Sequence, residues 1–108
     1  TRHLQQVCDE AGGRVTLEAT ASGESFLREP DEFAVVIADA AEAVLGRRPE
    51  YSTTGGTSDA RFIKDHCPVA EFGLIGQTMH KVDERIAVED IRRLTAVYEA
   101  VLDRYFAA

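Results

Sequence analysis

The chain has no stretch of apolar residues near the length of a bilayer span, which argues against a membrane-spanning role. Positive charge is in the minority: 12 Lys and Arg face 19 Asp and Glu, for a net charge of −7. That balance repels phosphate backbones and anionic lipid, so nucleic-acid and membrane-surface partners are disfavoured. Cysteine is scarce as well. Cys8 and Cys67 lie far apart with no CxxC spacing, which favours two reduced thiols in a cytoplasmic protein over a disulfide. No HxxxH or HxD pattern surrounds His3 or His66, and no Gly-Lys-Ser/Thr ending makes the glycine-rich loop a P-loop. Internal repeats and low-complexity tracts are absent. The only methionine is Met79 and the first residue is Thr1, so the 108 residues read as a piece of a longer chain.

What is present is an ordinary globular composition, 44% hydrophobic and 29% charged, enough for one modest core. Residues 1–11 carry Leu4, Val7, Cys8 and Ala11 on one helical face, and Gly12-Gly13 supplies a stop. Residues 14–21 alternate apolar and polar, the period of a strand with one wet face. Ser22 to Pro30 breaks that pattern and marks the expected domain boundary. Asp31 and Glu32 then open a second helix whose stripe runs through Phe33, Val36, Ile37, Ala40, Ala41, Val44 and Leu45 to a stop at Gly46.

A short extended stretch over residues 50–53 leads to the loop Thr53 to Asp59. Ser58 or Asp59 is positioned to cap a short helix over residues 60–66. Residues 69–72 read as a buried strand, with Cys67 expected to pack against the sheet. The last helix spans about residues 88–106, with Ile91, Leu94, Tyr98, Val101, Leu102 and Tyr105 on its apolar face and Ala87 as a poor cap. Strands alternating with helices predict an α/β sheet rather than a bundle.

Chemistry concentrates in two loops. The first, Thr53 to Asp59, combines glycines, hydroxyls and backbone amides suited to a carboxylate, and reads equally well as a plain turn. Arg61 beside it can hold a carboxylate by two hydrogen bonds, or pair with Asp59 or Asp65. In the second loop His80 is followed by Asp83 and Glu84, which can buttress an imidazole, although a lone histidine is more often an ordinary surface or core residue. His66 and Cys67 are neighbours on a helix and do not face each other, so they make no nucleophile–base pair.

Three motifs together carry a resemblance: TTGGTSDARFI at residues 53–63, VAEFG at 69–73 and TMHKVDE at 78–84, with ASGESFL upstream at 21–27. They are similar to the C-terminal part of the bacterial succinyl-diaminopimelate desuccinylases, a branch of the dinuclear-zinc amidohydrolases related to aminoacylases and carboxypeptidases. The likeness covers essentially the whole chain. It implies the C-terminal part of a zinc-exopeptidase-like α/β catalytic domain, a mixed sheet flanked by helices, over residues 28–108. Residues 1–27 would be the last helix and strand of an inserted α+β dimerisation (lid) domain.

By the same resemblance the parent is a cytoplasmic homodimer that hydrolyses N-succinyl-LL-2,6-diaminopimelate, a small molecule, to succinate and diaminopimelate. It would use two zinc ions, with cobalt as a possible substitute, to activate a bridging water and a glutamate as general base. His80 matches the family's last zinc ligand. Ser22, Gly56 and Thr57 match substrate-contacting positions, and Arg61 belongs to the same motif. Gly76 departs from relatives that carry asparagine there, so it receives no side-chain role. The remaining ligands and the general base have no counterpart in these 108 residues. The alternatives are a related acyl-amino-acid deacylase, such as one acting on acetylornithine, and, for the segment alone, a non-catalytic association module.

Overall fold

A computed structural model describes residues 2–56 and 58–107. Among these described residues four helices form: α1 (Arg2–Ala11), α2 (Glu32–Leu45), α3 (Ala60–Ile63) and α4 (Val88–Phe106). Their ends follow from local chemistry. The Asp31 carboxylate, on an extended backbone, accepts the Ala34 amide at 3.0 Å and satisfies one of the free donors at the start of α2. At the other end Gly46 takes φ 71°, and its amide returns to the Glu42 carbonyl at 2.8 Å. The Arg48 guanidinium folds back onto Asp39 (2.6 Å) and Glu42 (2.9 Å), a cation at the helix end where the dipole favours one. Ala87 gives α4 no side-chain cap, in line with its chemistry.

The core is the seam where α2 crosses α4, the one pairing of elements among the described residues. Ala40, Ala41, Val97 and Val101 are buried there, with Val36, Ile37, Phe72 and Ala100 packed against them. Alanines on α2 let the two helices approach closely, and Phe33 meets Tyr105 edge to face at 5.8 Å. The stripe expected on α4 is therefore rotated. Val97, fully buried, is its centre, while Tyr98, Leu102 and Ile91 lie largely exposed. One polar tie holds the segment around Phe72 to α4: the Tyr98 hydroxyl donates to the Phe72 carbonyl at 2.6 Å.

The expected sheet does not form. Among the described residues there is no strand, and residues 14–21, 50–53 and 69–72 lack regular structure. A strand is stable only with neighbours that take up its amides and carbonyls, and these three segments do not pair with one another. The buried-strand reading of residues 69–72 is corrected accordingly: Phe72 and Val69 are half-buried, and Ala70 and Glu71 are exposed. Cys67, expected against a sheet, is exposed for the same reason; both cysteines are free thiols. The helix expected over 60–66 shortens to α3 and continues only as turns, closed by the His66 amide on the Ile63 carbonyl at 2.8 Å, with Pro68 barring continuation beyond Cys67.

The result is an open arrangement with a radius of gyration of 19.5 Å, against about 13 Å for a compact domain of 100 residues. Large apolar side chains stand in solvent, among them Leu27, Ile75, Val82, Val88 and Phe106. No helix of the described residues is long and apolar enough to cross a membrane.

Candidate functional site

The residues singled out by sequence fall into two places. Ser22, Gly56 and Arg61 line a single cavity of about 720 Å³, although 39 positions separate Ser22 from Arg61 in the chain. Its walls are the run from Ser22 to Asp31, the loop Glu50 to Gly56, the start of α3, and Val69 to Glu71. Thr57 lies outside the described residues. The run 22–31 is held in place rather than hanging as a linker: Arg28 donates to the Lys64 carbonyl at 3.0 Å and lies 3.5 Å from the Asp31 carboxylate.

The loop's own hydroxyls shape it. Ser52 and Thr54 share a 2.9 Å hydrogen bond, and the Thr54 amide donates to Ser52 Oγ at 3.4 Å. Of the two cap candidates for α3, Ser58 serves: its Oγ accepts the Ala60 amide at 3.2 Å, while Asp59 makes no side-chain cap. α3 has four residues, too few for the helix-terminus contribution to anion binding expected from a longer helix.

Arg61 is the cation of this cavity with capacity to spare. The ion pairs expected with Asp59 or Asp65 are not formed among the described residues. Asp65 instead binds Lys64 at 2.7 Å, which holds its carboxyl below the ordinary carboxylate range. Arg61 Nε is shielded from solvent and has no hydrogen-bond partner among the described residues, which leaves a guanidinium donor unsatisfied. Two neighbours fix the group. Its Cζ lies 4.6 Å from the Phe62 ring centroid, a cation–π contact, and Gly23 lies so near that a Cβ there would sit 3.1 Å from Arg61 Cδ and 3.2 Å from Nε. A planar fork held against an aromatic ring with a spare donor suits a carboxylate. Gly23 belongs to the ASGESFL motif, but nothing in the sequence assigns it a role, because that role is to leave room for a side chain 38 positions away.

His80 stands apart from that cavity, in the loop between Phe72 and α4. It is exposed, with backbone φ 60°, and Asp83 has φ 61°; these are the non-glycine residues with positive φ among those described. Histidine and aspartate enter this region more readily than most residues, yet a pair in one short loop is uncommon and marks a constrained turn. Both ends of the loop are joined by one hydroxyl: Thr78 Oγ1 accepts the Arg85 amide at 3.0 Å and donates to the Arg85 carbonyl at 2.7 Å. Within it Lys81 Nζ reaches the Gln77 carbonyl at 2.9 Å, and an Arg85 guanidinium N–H donates to the Asp83 carbonyl at 3.3 Å. Neither Asp83 nor Glu84 hydrogen-bonds the imidazole among the described residues, so the expected carboxylate buttress is not made there.

Among the described residues no three His, Cys, Asp or Glu side chains converge well enough to hold a metal ion. His80 offers one imidazole, whereas a protein-held zinc takes three or four ligands. The donor set of this chain does not by itself fit a metal centre, and no chemical step through one follows from it.

The chain is 56% identical over 105 residues, 97% of its length, to the succinyl-diaminopimelate desuccinylase of Rhodospirillum centenum. It is 61% identical over 82% of its length to the protein of that name from Methylorubrum populi, and 58% identical over 89% to that of Caulobacter vibrioides. It spans only about a quarter of the length of these relatives: 27%, 23% and 25%. No solved structure matches the chain. The model of peptidase family M20/M25/M40 matches residues 3–104, nearly all of the 108. By that match over nearly its whole length, the chain belongs to peptidase family M20/M25/M40.

Proposed function

We propose that this chain is the C-terminal segment of a metal-dependent amide hydrolase that splits N-succinyl-LL-2,6-diaminopimelate into succinate and LL-2,6-diaminopimelate. The observation that carries this reading is high identity to relatives bearing the desuccinylase name over nearly the whole chain, including the loops around Arg61 and His80. The substrate is rich in carboxylates, and the guanidinium of Arg61, which lines the cavity and makes no ion pair among the described residues, is the group there suited to one of them. Ser22, Gly56 and Thr57 complete the contacts to the substrate.

His80 supplies one ligand to a zinc site whose other ligands and general base come from the rest of the longer protein. Two zinc ions fill that site, and cobalt can replace them. Residues 28–108 belong to the catalytic domain, where 50–53 and 69–72 gain the sheet partners they lack here. Residues 1–27 close the lid domain, through which two cytoplasmic subunits pair.

The test is turnover by the full-length protein on N-succinyl-LL-2,6-diaminopimelate and on N-acetylornithine, before and after dialysis against a chelator. The proposal expects hydrolysis of the succinyl substrate, little of the acetyl one, and loss of rate on chelation that zinc or cobalt restores. Preference for N-acetylornithine would move the assignment to the related deacylase, and undiminished turnover in metal-free buffer would remove the metal from it.

A further inference from the structure

The loop that presents His80 has an unusual construction, and its fixture is a side chain outside the cavity and outside any metal-ligating set. Residues 79–84 are exposed, and the hydrogen bonds that shape them come from within the segment 76–85. Nothing else among the described residues braces them. Yet His80 and Asp83 both hold a left-handed backbone, which a free loop populates only in part. The clamp that closes the turn is the Thr78 hydroxyl, which engages both backbone groups of Arg85, N–H at 3.0 Å and C=O at 2.7 Å. One oxygen thereby does what a pair of ladder hydrogen bonds does in a hairpin, fixing the distance between the two ends of the loop. Thr78 is also half-buried while the residues it encloses are exposed, so the anchored end is the inner one.

We propose that Thr78 is the positioning residue for His80: its hydroxyl clamps Arg85 and so holds the loop in the turn that presents the imidazole. The proposal rests on the functional reading of His80 given above and adds to it a residue that touches neither substrate nor the reacting atoms. A serine keeps both hydrogen bonds, whereas a valine keeps the shape and loses them. The loop also carries its own reporter, since Lys81 and Arg85 are trypsin sites inside and at the end of the clamped turn.

The experiment uses the full-length protein with Thr78→Val, Thr78→Ser and His80→Ala, measuring turnover of N-succinyl-LL-2,6-diaminopimelate, melting temperature, and the rate of tryptic cleavage after Lys81. With misplacement of about an ångström costing on the order of 100-fold, Thr78→Val is expected to lower kcat by about 10- to 100-fold at nearly unchanged KM. It should also speed cleavage after Lys81, while Thr78→Ser stays near wild type in both. If Thr78→Val does not fold, Thr78→Ala takes its place with the same expectation. Wild-type kcat and cleavage in a folded Thr78→Val or Thr78→Ala protein overturn the proposal, as does a Thr78→Ser protein as impaired as the valine variant. His80→Ala separates the two levels: if it retains full activity the reading of His80 fails, and if it is inactive while Thr78→Val is normal, only the clamp fails.

Discussion

Gly23→Ala adds one methyl group and removes no polar atom, which makes it a clean probe of where Arg61 is held. The glycine is not in the left-handed region, so the alanine meets no backbone penalty and only space is at issue. The new Cβ would stand 3.1 Å from Arg61 Cδ and 3.2 Å from Nε, inside the roughly 3.5–4.0 Å of a comfortable contact. Phe62 Cε1 would lie 3.7 Å from the same Cβ, an ordinary contact, so the crowding falls on Arg61. The guanidinium must move by a few tenths of an ångström, and overpacking of this kind costs typically about 1–3 kcal/mol. Arginine is flexible, so the low end, about 1 kcal/mol, applies, which is about fivefold in affinity.

The assay is KM and kcat of the full-length protein on N-succinyl-LL-2,6-diaminopimelate, alone and with Arg61→Ala. Gly73→Ala, where a Cβ meets nothing within 4 Å, is the control. KM should rise about fivefold for Gly23→Ala and stay level for Gly73→Ala. In the Arg61→Ala background the Gly23 effect should vanish, because the two residues act through one contact. A Gly23→Ala protein with wild-type KM, or one whose effect survives the loss of Arg61, would refute the placement of Arg61 as the carboxylate anchor.

Other changes test the scaffold. Val97→Ala removes two methyl groups from the fully buried centre of the α2–α4 seam and should destabilise by about 2 kcal/mol in a denaturant titration. Leu102→Ala, at an exposed position on the same helix, should cost far less. Tyr98→Phe deletes the 2.6 Å hydrogen bond to the Phe72 carbonyl and should cost about 1 kcal/mol in the same titration. Asp31→Ala leaves the Ala34 amide without its cap and should cost about 1 kcal/mol, with Asp31→Asn recovering most of it.

Where the structure rests on signals a few residues long, the sequence is readable. Asp31 and Gly46 bracket α2 because a carboxylate before a helix and a left-handed glycine after it act locally. The bounds of α4 follow from its periodicity in the same way. The strand signals at residues 14–21 and 69–72 are as local, but a strand is completed by partners distant in the chain, and none of these segments has one here. Periodicity points to Tyr98 and Leu102 because they fall in register with Ile91, Leu94 and Tyr105, while close approach to the alanines of α2 selects the smaller Val97.

Among the candidate residues, Arg61 and His80 stand out by type, whereas Ser22 and Gly56 are named only by the family resemblance. That Ser22, Gly56 and Arg61 share a cavity depends on the path of the chain between them. Two supporting residues give no such signal, for a physical reason: Gly23 acts by having no side chain, and Thr78 acts on the backbone seven positions away.

The claim on which the rest depends is that the imidazole of His80, and not merely its loop, is needed for the proposed hydrolysis. His80→Gly isolates it, because glycine adopts the φ of 60° at this position without strain and leaves the turn intact. Loss of a group that ligates directly should exceed the roughly 10- to 100-fold typical of supporting partners of a metal site. Turnover of N-succinyl-LL-2,6-diaminopimelate by full-length His80→Gly protein should therefore fall by more than about 100-fold with its melting temperature nearly unchanged. Turnover within a fewfold of wild type would contradict the account.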